Sequence, residues 1–264
     1  MIIRKEMKNG LISFLIWTAV LCGMFGMIFL LYPYIIDDVD PESINALLNL
    51  FPESVLKAFN MDLSGIDSAF GWLKSEGFVF ILLVSGCYSA LLGSSIVLKE
   101  ENDHTIEYLN ALPISRTQIV LKKYISGLIY VTGFVLVTAV SNWLFLTFTE
   151  TVDNRAYWLL AITPLFTSVV LYSIGMLIST FMHRSRAMMG ISLGFVFVSY
   201  ILNMFSGMSD KTEFLKYFSV FTLADIRNVM VNIEINPMMI IISILISIVS
   251  LIGSIAVYQR KELL

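Results

Sequence analysis

Of 264 residues, 57% are hydrophobic and 14% charged, with a mean hydropathy of +0.82, against about 45–50% apolar and about 25% charged in soluble domains. This excludes an ordinary soluble domain and predicts an all-α, polytopic membrane protein. The formal net charge of −3 supplies no basic field for phosphates, so no nucleic-acid partner is expected.

Six uncharged apolar runs reach the roughly 20 residues that cross a bilayer: 11–36, 77–98, 124–149, 156–182, 187–208 and 237–259. The first follows Arg4, Lys5 and Lys8, as a signal peptide would. It is too long for an h-region and lacks a small-x-small cleavage site, so it is expected to stay as a helix. Cys22 and Cys87 both lie in apolar runs, which speaks against a disulfide framework or a thiolate metal site. With both termini inside, eleven of the seventeen Lys and Arg residues fall on the cytoplasmic side, which agrees with the even number of spans.

After the first span, Ile44, Leu47, Leu48 and Phe51, then Val55, Leu56 and Phe59, recur at helical spacing behind Pro41 and Pro52. This predicts two short amphipathic helices at the outer interface. The second span carries Gly86, Ala90 and Gly93 on one face, and the fifth carries Gly190 and Gly194. Such small-residue faces suit close helix approach, and plain helix packing explains them equally well. Asn142 and Asn203 are the most polar side chains inside the spans, and Pro164 predicts a kink in the fourth. Between the fifth and sixth spans, residues 211–235 repeat the interfacial pattern, from Phe214 and Leu215 to Val229 and Met230. No Asp, Glu, Lys, Arg or His lies deep within a span. That disfavours an ion-coupled carrier, which needs a group to bind and release its ion near the midplane.

Enzymatic readings find little. Glu101 and His104 stand one helical turn apart, but no second histidine motif completes a metal shell, and there is no G-x-S-x-G elbow. Neither a catalytic residue nor a metal site is expected. The charged stretch after the second span is more informative. Asn102 and Asp103 suit an N-cap, Ile106 and Leu109 share a face, and Pro113 stops the turn. Ser115 and Gln118 then have capping-box spacing, so the third helix is expected to start there. The pattern is a surface helix, a proline corner and a capped helix.

At these residues the chain resembles the permease subunits of ABC-2 type transporters, a bacterial exporter family. The resemblance rests on Glu100 and Glu101, Thr105-Ile-Glu-Tyr-Leu109, Leu112-Pro-Ile-Ser-Arg116 and Lys122-Lys123, with weaker likeness at residues 52–59 and 258–263. It implies one six-helix transmembrane domain over residues 1–264 in the bacterial cell membrane. It also implies pairing with a second permease, identical or different, and with two cytoplasmic ATPases that hold the ATP and magnesium. No G-x-x-x-x-G-K-[ST] loop occurs here, so this chain carries no such cofactor of its own. By the same resemblance, Glu100, Glu101, Thr105, Ile106, Glu107, Leu109, Pro113, Ile114 and Arg116 contact the ATPase. Arg4, Lys5 and Lys8, on an amphipathic segment before the first span, and Arg184 and Arg186 lie near the same surface. Gly86, Ala90, Gly93, Gly190, Gly194 and Asn203 fall on the spans that line the pathway or dimer interface. An apolar interior favours an amphipathic or hydrophobic cargo, such as a peptide, a drug or a lipid-like molecule. The alternative is a sensor or immunity protein with the same topology and no transport.

Overall fold

The computed structural model describes residues 2–38, 68–102, 114–182, 185–209, 211–224, 228–229 and 232–261. Six helices in it are long and apolar enough to cross a membrane: α1 (Ile2–Asp38), α2 (Phe78–Asn102), α3 (Arg116–Thr149), α4 (Asn154–Phe181), α5 (Ser185–Ser206) and α6 (Pro237–Arg260). A helical turn (Ala69–Trp72) and a π-helical turn (Leu73–Gly77) lead straight into α2. Glu6, Glu100, Arg116 and Lys261 gather at one end of the bundle, here called basal; Ser68, Glu150 and Asp153 mark the distal end.

The expected spans recur with their ends moved by a few residues, except that α1 and α3 extend well beyond the apolar runs. Residues 2–8 continue α1 without a break, so the separate amphipathic segment implied by the resemblance is here the first turns of the spanning helix. Helix α3 starts where the cap pattern placed it: the Ser115 hydroxyl accepts from the Gln118 amide at 3.3 Å. Asp153 caps α4 by accepting from Arg155 N–H at 2.9 Å, and Asn236 caps α6, with Pro237 in the first turn.

At the centre, α2 and α4 make the most extensive contact in the bundle. The cause is small residues: a Cβ built on Gly93 would lie 2.2 Å from the Tyr172 carbonyl oxygen, and one on Gly175 2.9 Å from that of Ala90. The backbones touch because neither helix has a side chain there. Helix α4 stays helical through Pro164. The Leu160 carbonyl, which loses its usual amide donor to the proline ring, accepts instead from the Thr163 hydroxyl at 2.9 Å.

Helix α6 is polar inward and apolar outward. Ser243, Ser247, Ser250 and Ser254 are buried, whereas Ile241, Ile244, Leu245, Ile248 and Ile252 are exposed. Three of the serine hydroxyls donate to the carbonyl four residues back, which satisfies them without a partner helix. Distally, Trp72 sits among Phe25, Phe29 and Tyr32 of α1 at ring distances of 6.0–6.3 Å.

The connection between α5 and α6 differs from expectation. It contains two 3₁₀ turns, η1 (Glu213–Phe218) and η2 (Val220–Ala224). The first is interfacial in character, with Phe214, Tyr217 and Phe218 exposed, but the second is buried. The Val220 amide donates to Ser199 Oγ at 2.8 Å, and the Phe221 ring fills the space over Gly86. Helical periodicity could not separate a surface-lying face from one inserted into the bundle. The two amphipathic helices expected between 41 and 59 lie outside the described residues.

Replacing Gly93 with Ala should force α2 and α4 apart and cost roughly 1–3 kcal/mol, the usual scale for overpacking. The same change at Gly190, where nothing among the described residues lies within 4 Å, should leave stability untouched. Thermal unfolding of the two purified variants in one detergent checks this.

Candidate functional site

The basal end is built on a buried ammonium group. Lys123, on the second turn of α3, is 1% exposed. It donates to Glu6 Oε1 of α1 at 3.2 Å, to the Ile96 carbonyl of α2 at 2.6 Å, and to Glu100 Oε2 of α2. Three N–H groups thus meet three acceptors, from two other helices. Lys99 adds a looser pairing with Glu6 Oε2 at 3.7 Å. From α4, the Tyr172 hydroxyl lies 3.3 and 3.2 Å from the carbonyls of Lys123 and Tyr124. Gly127 leaves the space that this ring enters. The Tyr130 hydroxyl of α3 donates to the Met7 carbonyl of α1.

A second set of contacts ties α3 to the end of α6. The Arg116 guanidinium donates to the carbonyls of Tyr258, Gln259 and Lys261 at 3.4, 3.2 and 2.9 Å. These include carbonyls that a helix C-terminus leaves unpaired, and a cation there also suits the helix dipole. Gln259 donates to Thr117 Oγ1 at 2.8 Å, and Lys261 reaches the Met182 carbonyl at the end of α4 at 2.7 Å. Ile2 is buried against Ile119, with Ile114 packed beside them.

These contacts redistribute the residues expected to meet a soluble partner. Glu100 is 3% exposed and turned to Lys123, so it acts inside the joint and offers no contact surface. Arg116 holds α6, and Ile114 packs on the start of α1. Arg4, Lys5 and Lys8 are exposed. Thr105, Ile106, Glu107, Leu109, Pro113 and Arg184, and the side chains of Glu101 and Arg186, lie outside the described residues.

The small-residue faces also separate. Gly86, Ala90 and Gly93 are used within the chain, against Leu171, Phe221, Gly175 and Tyr172 of α4 and η2. Gly190 and Gly194 of α5 have nothing among the described residues within 4 Å of a built Cβ. Asn203 donates to Thr222 Oγ1 at 3.2 Å and thereby holds η2.

Sequence reasoning read Lys123 only as part of the basic Lys122-Lys123 pair at the start of the third helix and left Glu6 unassigned. The available signal was that the first three helices each bring an ionisable residue to the same end. Glu6 is the one acidic residue before the first span, and Glu100 and Lys123 flank the segment after the second.

A family model described as ABC-2 family transporter protein matches residues 1–263. The chain belongs to the ABC-2 transporter family. No curated protein matches it. The ABC-2 membership and the six apolar helices agree on a multi-pass membrane protein.

Changing Lys123 to Met should strand the buried Glu100 carboxylate and leave Glu6 only its looser pairing with Lys99. Breaking such a pairing typically costs about 3–5 kcal/mol, so folded yield in size-exclusion profiles should fall sharply. Adding Glu6→Gln and Glu100→Gln in the same chain should recover most of it.

Proposed function

We propose that the chain is the permease subunit of an ATP-driven exporter in a bacterial cell membrane, with its basal end cytoplasmic. Cytoplasmic ATPase subunits supply the energy and hold ATP and magnesium. A second permease chain completes the pathway for an amphipathic or hydrophobic cargo.

The observation that carries this reading is the basal joint. Residues 103–113 hold the motif that resembles the family's ATPase-docking segment. On one side they are continuous with α2, which is bound to α1 and α3 through Glu100 and Lys123. On the other they run into Ile114 and the α3 cap, where Arg116 grips α6. A displacement of that stretch is therefore delivered to four helices at once.

The mechanism needs the ATPases to favour one bundle geometry over another, since a ligand shifts an equilibrium only by its differential affinity for the two states. ATP-driven closure moves the two docking stretches, the joints carry the movement into α1, α2, α3 and α6, and the interface between permeases opens. The open Gly190 and Gly194 face of α5 suits the second permease, because the small residues of α2 are already occupied within the chain. Among the described residues, buried charge is confined to the basal joint, which suits a cargo that is largely apolar.

Co-expression with a candidate ABC ATPase tests the assignment. Glu107→Arg, within the docking stretch, should lower copurified ATPase by about tenfold or more, in line with losing a charge contact at an interface. Permease thermal stability should be unchanged. Full copurification with unchanged permease-dependent ATP turnover would defeat the coupling assignment.

A further inference from the structure

Helices α1 and α2 meet at two levels and part between them. At the basal level Glu6 pairs with Lys99 at 3.7 Å. Eleven residues along each antiparallel helix, about 16 Å at 1.5 Å per residue, the rings of Trp17 and Tyr88 meet at 6.0 Å. Between these levels α1 leans on α3, and small residues, Gly10 and Ser13 of α1 and Ser95 of α2, face the gap. The result is a cavity of about 310 Å³. Asn9 and Ser13 are exposed along it, so it is open to the side.

Its lining changes character with depth, from the charges of Glu6 and Lys99, through serine hydroxyls, to the Trp17 indole, the Tyr88 ring and Leu91 and Leu92. The serine and tyrosine donors at its basal part are spent on carbonyls, Ser95 on Leu92, Ser126 on Lys122 and Tyr130 on Met7. Lys99 is about one-third exposed, and its ion-pair partner among the described residues, Glu6 Oε2, lies at 3.7 Å, beyond hydrogen-bond reach. The Tyr88 hydroxyl is buried with no partner among the described residues. Glu6 Oε1 is engaged by Lys123, while its Oε2 faces Lys99.

We propose that this cavity binds a phosphodiester amphiphile, a phospholipid of the leaflet at the basal end. Its phosphate is held by Lys99 at the mouth, and the start of an acyl chain lies along Trp17 and Leu92. A cavity of about 310 Å³ admits a head and a few methylenes and leaves the rest of the chains in the bilayer through the open side. The site stands whether or not the chain exports anything, because it rests on the α1–α2 gap and not on the basal joint's role in coupling.

Native mass spectrometry of the full-length chain, released from membranes and exchanged into phosphatidylglycerol-containing micelles, tests the site. The expected result is one phosphatidylglycerol retained per chain. Lys99→Met should reduce retention about tenfold, the scale of a lost charge-assisted hydrogen bond, while Lys99→Arg keeps it. Ser95→Phe, which fills the cavity, should abolish it in protein that still elutes as a single folded peak. Lys216→Met, on the distal η1, serves as the control and should retain lipid fully. Diacylglycerol with the same chains should not be retained, and soluble glycerol phosphate should not displace the lipid. Equal retention by Lys99→Met or Ser95→Phe, or equal retention of diacylglycerol, overturns the proposal. Displacement by glycerol phosphate overturns the lipid and leaves a phosphate site.

Discussion

Everything at the basal end depends on the burial of the Lys123 ammonium group. Removing such an ion from water costs several kcal/mol, and only good pairing geometry offsets it. Here the compensation comes from Glu6 on α1 and from Glu100 and the Ile96 carbonyl on α2. If α1 separates at that level Glu6 loses both of its cations, and if α3 separates Glu100 is left unpaired. The constraint matters most for α1, which presents Ile12, Ile16, Val20 and Met27 outward and has little hold on α2 apart from the two levels where they touch.

Apolar contact alone cannot specify such a bundle, because lipid chains are as apolar as leucine. Close approach and polar satisfaction do that work instead. Gly93 and Gly175 bring α2 and α4 into backbone contact, and Tyr172 of α4 crosses Gly127 to reach the carbonyls at the start of α3. Helix α6 turns its serines inward and its isoleucines outward, the reverse of a soluble helix. The result is a graded enclosure, with α2 and α4 the most covered spans and α5 and α6 the least.

Much of this fold was legible from the sequence, because length and apolarity are what a bilayer demands of a helix. The Ser115 cap and the start of α3 followed from local chemistry that does not depend on neighbours. What escaped was set by partners distant in sequence. Lys123 reads as half of a basic pair until Glu6, 117 residues away, is placed beside it. Nothing near Arg116 in the sequence shows that it holds the end of α6. The faces of Gly86 and Gly190 look alike as small-residue stripes, and only the presence of Leu171 and Phe221 over one of them shows which is already filled. The burial of η2 had the same cause, since Phe221 is equally apolar at an interface or inside the bundle.

The Arg116 contact also imposes an order on how the protein is made. Glu6, Glu100 and Lys123 all belong to the first three helices, so their union can close once α3 has entered the membrane. The carbonyls of Tyr258, Gln259 and Lys261 belong to the last helix synthesised. Until α6 has inserted, Arg116 lacks these acceptors, and the start of α3 is held on one side only. The corner beside residues 103–113 therefore reaches its final form last, after all six spans are in place, so an ATPase that requires this corner would distinguish finished chains from nascent ones.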